Sequence, residues 1–347
     1  MNKIATKITL ADIAREARVG VATVDRVLNK RAAVKESTAR RVLEAARRLG
    51  FTLEQPHYRL AAGKAPVTIR MGFILLQESH SFYLPLARAL TREAAPWLPA
   101  GQAPVIILHF AIDAVEAMAQ AIHRLSDEVE VLGLVALDHP LIRHAVARAA
   151  ARGVRVFTLL SDLSVPQRSG YIGLDNHKAG RTAAWFIERL CRGNGEIGII
   201  IGDNRFTCQE SCEISFRSCL REQGKGQQIL EPVRSHERAD IARTVTEQML
   251  TQYPALQAIY APCGGVEGIV DALRDSGRQQ EIALVCHGPL SDSELALIDG
   301  TIDIMLNHRL DEFAAVTLRA MADAASRPHS EVISLPQPFD IITKENM

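Results

Sequence analysis

The sequence predicts a small all-α helix-turn-helix headpiece followed by a two-lobed α/β core built on doubly wound parallel sheets. Three observations carry that prediction. The stretch from Thr9 to Asn29, TLADIAREARVGVATVDRVLN, reads as two short helices joined by a tight turn. Residues 1–66 hold 14 Lys+Arg against 6 Asp+Glu, and the rest of the chain holds 26 against 34. A net charge of zero therefore conceals a basic head on an acidic body. From residue 67 onward, short apolar runs alternate with helical segments, the pattern of repeated β-α units.

Thr9 opens the first helix. Its hydroxyl can cap the backbone N–H groups of the first turn, and Asp12 stands three residues later, in the place of the reciprocal acid of a capping box. Ile13, Ala14 and Ala17 recur at helical spacing and form the inner face. Arg18-Val19-Gly20 makes the turn. Val21–Leu28 is the second helix, with Val24, Val27 and Leu28 inward and Val21, Ala22 and Arg26 outward. In a helix-turn-helix this second helix enters the DNA major groove, where an arginine can bond guanine O6 and N7. Ser37–Leu49 is a third helix, with Val42, Leu43, Ala46 and Leu49 inward, Arg40, Arg41, Arg47 and Arg48 outward, and Gly50 closing it. The bland alternative is a helical cap with a solvated basic face. The charge asymmetry favours DNA, because a basic head attracts phosphates and an acidic body stays off them.

A linker, TLEQPHYRLAAGKAP over 52–66, separates the headpiece (1–51) from the body (67–347). The strands expected in the body are Arg70–Leu76, Val105–Phe110, Val131–Leu137, Val154–Leu160, Tyr171–Leu174, Glu196–Ile201, Gln228–Pro232, Ala258–Tyr260, Ile282–Cys286 and Ile302–Leu306. Helices lie between most of them, including Ala114–Leu125, Lys178–Cys191, Ile241–Gln252 and Val266–Asp275. Several strands are short apolar runs, as parallel strands covered on both faces should be. About 280 residues is large for one core, so two lobes are expected. Ligands of such sheets bind beyond the carboxyl ends of the strands, which places a candidate site on the loops after each strand.

Several function classes are disfavoured. No Gly-x-Gly-x-x-Gly turn, Walker-type phosphate loop or Gly-x-Ser-x-Gly elbow is present, and no catalytic spacing of Asp and His stands out, so the chain does not read as an enzyme. The six cysteines are 191, 208, 212, 219, 263 and 286. Cys208 and Cys212 are one helical turn apart, but no Cys-x-x-Cys or spaced His pair accompanies them, so neither a metal nor a cofactor is expected. No signal peptide and no membrane-spanning run is read. The expected location is the cytoplasm, with reduced thiols.

Thr9–Asn29, followed by TARRVLEAARRLGF, resembles the headpiece of the LacI/GalR (lac repressor) family, and the resemblance extends over nearly the whole chain. It implies a periplasmic-binding-protein-like core and a DNA-binding repressor acting on double-stranded operator DNA as a homodimer. Val21, Ala22 and Arg26 fall on the family's base-reading positions, and Thr23 and Asn29 on backbone-contacting ones; Thr9 completes the headpiece set. Gly20 and Asp25 replace serines, and Asp25 puts one phosphate contact in doubt. In the linker, Leu60-Ala61-Ala62-Gly63 is similar to the family's hinge-helix Leu-x-x-Gly, which makes Leu60 the minor-groove wedge. The alternative is a plain linker with Leu60 packed on the body.

The resemblance also implies two lobes, 67–174 plus 308–330 and 175–307, with a ligand cleft between them. Phe82 then matches an aromatic that stacks on a sugar face, with Ser81 beside it; the alternative is a Phe packed on its own helix. Asp162 stands where a hydroxyl-bonding group is common. Cys212 occupies the place of an arginine, with Arg205 and Glu210 near it in sequence. His287 and Asn307 stand at or beside further ligand positions, and Pro262-Cys263-Gly264-Gly265 replaces a usual Asn or Asp. The expected effector is a sugar, sugar acid or polyol. The alternatives are a transporter's carbohydrate-binding protein and a regulator responding to a non-carbohydrate effector.

Overall fold

The computed structural model describes residues 10–28, positions 38, 41, 42 and 45, and residues 69–77, 82–97, 105–191, 193, 195–223, 226–290, 293–326 and 332–347. The chain divides into two units, Met1–Lys64 and Ala65–Met347.

In the first unit, α1 spans Leu10–Ala17 and α2 spans Val21–Leu28. Ile13, Ala14, Ala17 and Val24 are buried together with Val42 and Ala45 of the third helical stretch, and Val19 and Val27 pack against them. This is the apolar stripe that period-3.6 spacing dictates. Arg18 takes a left-handed conformation with φ +52°, and Val19 N–H donates to the Ala14 carbonyl at 3.0 Å, closing α1. The Gly20 carbonyl accepts from Thr23 and Val24 N–H at 2.9 and 3.2 Å and so starts α2. The chain thus turns between two helices in three residues.

The second unit contains two sheets. The first has the order β12-β5-β4-β3-β1-β2, with β1 Met71–Leu76, β2 Ile106–Phe110, β3 Val131–Leu134, β4 Arg155–Leu159, β5 Gly170–Leu174 and β12 Ile333–Gln337. All its pairings are parallel. Every residue of β1 and β3 is buried, as expected for inner parallel strands with helices on both faces. Helices α3 (Tyr83–Ala94), α4 (Val115–Leu125), α5 (Pro140–Ala151) and α11 (Leu310–Ala325) belong to this lobe, and α3 packs on α11.

The second sheet runs β13-β11-β10-β9-β6-β7, with β8 also pairing with β6. Its strands are β6 Glu196–Ile201, β7 Gln228–Ile229, β8 Val233–Arg234, β9 Leu256–Ala261, β10 Ala283–Gly288, β11 Ile304–His308 and β13 Phe339–Ile342. Helices α6 (Asn176–Leu190), α7 (Thr207–Gln223), α8 (Ala239–Gln252), α9 (Val266–Asp275) and α10 (Ser293–Ile298) complete the lobe. Among the described residues only β13 pairs antiparallel, against β11.

The chain passes between lobes three times: from β5 into α6, from β11 into α11, and from β12 to β13. The resemblance implies three crossings, but the strands that flank the last one, β12 and β13, lie after residue 330, where the sequence pattern predicts none. Pro336 and Pro338 account for that, because proline within an apolar run argues against a strand. Pro336 is tolerated here because β12 is an edge strand. The expected strand Gln228–Pro232 is instead two short pairings, β7 and β8.

Candidate functional site

Between the lobes lies a cavity of about 930 Å³, lined by residues that follow strands of both sheets. Gln77 follows β1, Asp113 follows β2, Leu160 follows β4, Asn176 follows β5, and Glu237 follows β8. This is the crevice beyond the carboxyl ends of parallel strands, where connecting loops converge.

An aromatic edge comes from the first lobe. Phe82 packs edge-on against Tyr83 at 5.3 Å and against His308, from the other sheet, at 5.1 Å between ring centroids. Beneath the second-lobe side, Tyr260 is fully buried and stacks on Phe216 at 4.6 Å. Its hydroxyl lies 3.0 Å from His287 Nε2. Burial, aided by nearby His308, pushes His287 down to about 3, and burial brings His308 down to about 4. Both imidazoles are therefore neutral near pH 7 and act as hydrogen-bonding groups rather than charges. His308 Nδ1 is buried with no protein partner.

Glu237 is the least expected lining residue. It follows His236, and both hold left-handed backbone, at φ +60° and +52°. Its carboxyl is buried: Oε1 accepts from Gln209 Nε2 at 2.7 Å and Oε2 from Gly264 N–H at 2.9 Å. Gln209 in turn accepts from Gly202 N–H at 2.7 Å. A Cβ on Gly202 would fall 1.8 Å from Oε1, and one on Gly264 2.5 Å from Oε2, so the carboxyl fills space that two glycines leave open. Burial raises the Glu237 pKa, while the bonds from Gln209 and Gly264 oppose that rise. Among the described residues that line the cavity, Asp113, Glu237, Asp240 and Glu267 stand against one arginine, Arg238. That guanidinium already donates to both oxygens of Asp240, at 3.0 and 2.5 Å. The balance suits a neutral ligand over an anionic one.

Of the ligand residues expected from sequence, Phe82, Cys212 and His287 line the cavity. Asp162, Glu210 and Asn307 are not among the lining residues. The Asp162 carboxylate is spent inside the first lobe, accepting from Thr158 Oγ1 at 2.6 Å, Leu163 N–H at 2.8 Å and Arg168 Nη2 at 2.8 Å. Glu210 is exposed on α7. Asn307 pairs in register with Gly288 on β10, one residue before His308 reaches the cavity. Ser81 lies outside the described residues. Cys212 donates to the Asn176 carbonyl at 3.4 Å and carries no positive charge in the arginine's place, and Arg205 is engaged by Asp203 at 2.9 and 2.8 Å. Tyr83, Asn176, Gln209 and Glu237 are lining residues that sequence reasoning did not name. For Glu237 the missing signal was β8, since a loop-after-strand rule needs the strand.

On the headpiece, Val21 is 48% exposed and Thr23 half-buried on α2. Ala22 and Arg26 belong to the same helix, but their side chains lie outside the described residues. Thr9, Asn29, Leu60 and the 52–66 linker also lie outside them. All six cysteines are free thiols. Burial pushes Cys208 up to about 12 and Cys191 up to about 11. Among the described residues no group of His, Cys, Asp and Glu is arranged to hold a metal, and no helix is long and apolar enough to cross a membrane.

A helix-turn-helix unit, followed in sequence by two lobes around a loop-lined cleft, defines a binding protein fused to a DNA-binding type of domain. Residues 71–327 match the periplasmic binding protein domain, and residues 9–53 match the bacterial regulatory proteins of the lacI family. The chain belongs to the periplasmic binding protein family and carries a LacI-family helix-turn-helix domain at its N-terminus. Catabolite control protein A of Priestia megaterium is 42% identical over 83 residues, 24% of each chain. An uncharacterized HTH-type transcriptional regulator from the aml 5′ region of Streptomyces limosus is 28% identical over 218 residues, covering 61% of this chain and 58% of that one. The matches thus span about a quarter and somewhat over half of these relatives' lengths. Among solved structures, GanP, a glucose-galactose binding protein from Geobacillus stearothermophilus, superposes with a TM-score of 0.71 at 17% identity, over 80% of this chain and 99% of that one. An ABC transporter solute-binding protein from Agrobacterium vitis with bound D-fucose gives a TM-score of 0.72 at 16% identity, over 80% and 96%.

Proposed function

We propose that this chain is a transcriptional repressor whose binding to double-stranded operator DNA is controlled by a small neutral carbohydrate or polyol in the interlobe cleft. The observation that carries the reading is the union of a helix-turn-helix, its inner face buried and Val21 exposed, with a loop-lined 930 Å³ cavity in one chain. The excess of carboxylates in the lining and the engaged state of Arg238 favour neutral hydroxylated ligands over sugar acids and phosphates. Neutral His287 and His308, with Asn176 and Gln209, supply donors and acceptors for hydroxyls. That relatives are named as regulators and that similar structures hold sugars supports the same reading.

In this reading the protein works as a cytoplasmic homodimer and is not an enzyme. Thr9, Val21, Ala22, Thr23, Arg26 and Asn29 face the operator, and Leu60 wedges its centre. Phe82, Cys212 and His287 contact the effector, which couples to the DNA site by changing how the lobes are placed. Two measurements test it. The first is fluorescence-anisotropy titration of the full chain on selected operators. Arg26→Ala should lose discrimination between operator and random DNA while leaving effector binding intact; unchanged discrimination refutes the assigned base reader. The second is a thermal-shift screen with neutral sugars, polyols, sugar acids and sugar phosphates. A ligand at a hundred times its Kd adds about 2.7 kcal/mol. Hits confined to acids or phosphates overturn the neutral-ligand reading.

A further inference from the structure

The lobes do not meet only at the three chain crossings. The loop leaving β6 belongs by connectivity to the second lobe, yet Phe206 in it is 2% exposed and buried in the hydrophobic core of the first lobe. Its neighbours in sequence go the other way: Ile197, Ile199 and Ile201 before it, and Cys212 and Phe216 after it, all pack in the second lobe's own core. One aromatic ring is thus inserted across the gap. Hydrogen bonds flank it on both sides. Asp138 N–H, after β3, donates to the Arg205 carbonyl at 3.0 Å. Thr207 Oγ1 donates to the Asp162 carbonyl at 2.8 Å and lies 3.3 Å from Ser161 Oγ, which also accepts from Cys208 N–H at 3.4 Å.

Each anchor is itself held. Asp162 is tied to Thr158 and Arg168, Asp138 to Arg143 at 3.2 Å and Ser164 Oγ at 2.6 Å, and Arg205 to Asp203. Separating the lobes at this edge exposes a buried phenyl ring and breaks several part-buried hydrogen bonds, both of which are unfavourable.

We propose that Arg205–Cys208 form a clasp, with Phe206 as its positioning residue, that fastens the second lobe to the first along one edge of the cleft. The clasp is also within reach of the cavity. Cys208, Gln209 and Cys212, on the first turns of α7, line it. A molecule in the cavity therefore bears on the same helix end that holds the lobes. The inference rests on interlobe packing alone and stands whatever the effector proves to be.

The test is hydrogen exchange of the full chain without ligand, resolved to the Asp138 amide. Its acceptor, the Arg205 carbonyl, is in the opposite lobe, so its protection reports the clasp and not the folding of its own loop. In the wild type this amide should exchange slowly. Phe206→Ala should speed it at least tenfold while the β1 amides stay protected. Thr207→Val, which removes the hydroxyl at nearly constant shape, should do so to a smaller degree, and Thr207→Ser should restore wild-type exchange. An Asp138 amide that exchanges freely in the wild type overturns the clasp. So does protection that survives both Phe206→Ala and Thr207→Val. If Phe206→Ala loosens the whole first lobe, Thr207→Val decides: lost protection at Asp138 with β1 intact supports the clasp, and retained protection overturns it.

Discussion

Replacing Tyr260 by Phe removes the hydrogen bonds its hydroxyl makes beneath the cleft, with His287 and with Cys212. The ring is fully buried and stacked on Phe216, and its hydroxyl lies 3.0 Å from His287 Nε2. Phenylalanine keeps the stack and the volume and removes only the oxygen. His287 Nε2 is then left without that partner in a buried site, at a cost of about 1–3 kcal/mol. For a unit spanning residues 65–347, the unfolding entropy is about 0.6 kcal/mol/K. The expected fall in melting temperature is therefore about 2–5 °C. Scanning calorimetry of wild type and Tyr260→Phe measures it. NMR of the His287 ring in the same variant should show changed Nε2 and Hε1 shifts. A melting temperature unchanged within half a degree (about 0.3 kcal/mol on the same scale), with His287 shifts also unmoved, refutes the bond. A fall far above the range means that the contact with Cys212 adds to the loss.

Other perturbations have equally definite outcomes. His287 and His308 titrate at about 3 and about 4 in the folded chain, below the ordinary histidine value of about 6.5. The unfolded chain therefore binds more protons between those values. The stability is complete above pH 6.5 and falls as pH drops toward 4, by up to about 1.4 kcal/mol per unit for each histidine. Glu237, raised by burial, opposes this just above the usual carboxylate range, because there the folded state takes the proton first. Denaturant titrations from pH 7 to 4.5 should show the decline, and His308→Asn should make it shallower; an unchanged slope contradicts the burial assigned to that ring. Ile13→Ala, at a fully buried position in the headpiece, removes about 2–5 kcal/mol from a small unit. The headpiece NMR signals should collapse to unfolded positions while the main calorimetric transition stays in place. Gly268→Ala sets a Cβ 1.8 Å from the Ala239 carbonyl oxygen, so α8 and α9 must separate. Calorimetry should record a loss of about 1–3 kcal/mol, the range for overpacking; a neutral result would show that the two helices yield freely.

Periodicity and charge were enough, without any coordinates, to establish the helix-turn-helix, the alternation of strand and helix, and the location of the cleft on loops after strands. These are local properties. Ile13, Ala14, Ala17 and Val24 share a face because a helix repeats every 3.6 residues, and β1 and β3 are apolar throughout because both faces of a parallel sheet are covered. Phe82, Cys212 and His287 were legible through the family resemblance, which aligns each with a ligand position. Tertiary structure decided the rest, because the deciding contacts join residues far apart in sequence. Glu237 becomes a buried wall of the cleft only when Gln209 and Gly264 converge on its two oxygens. Asp162, which has the right chemistry for a ligand, is withdrawn by Thr158 and Arg168. Pro336 enters a strand because the sheet ends there. Phe206 looks like any loop aromatic in the sequence. Which lobe's core receives it is settled by how the two sheets meet, a relation that no local pattern encodes.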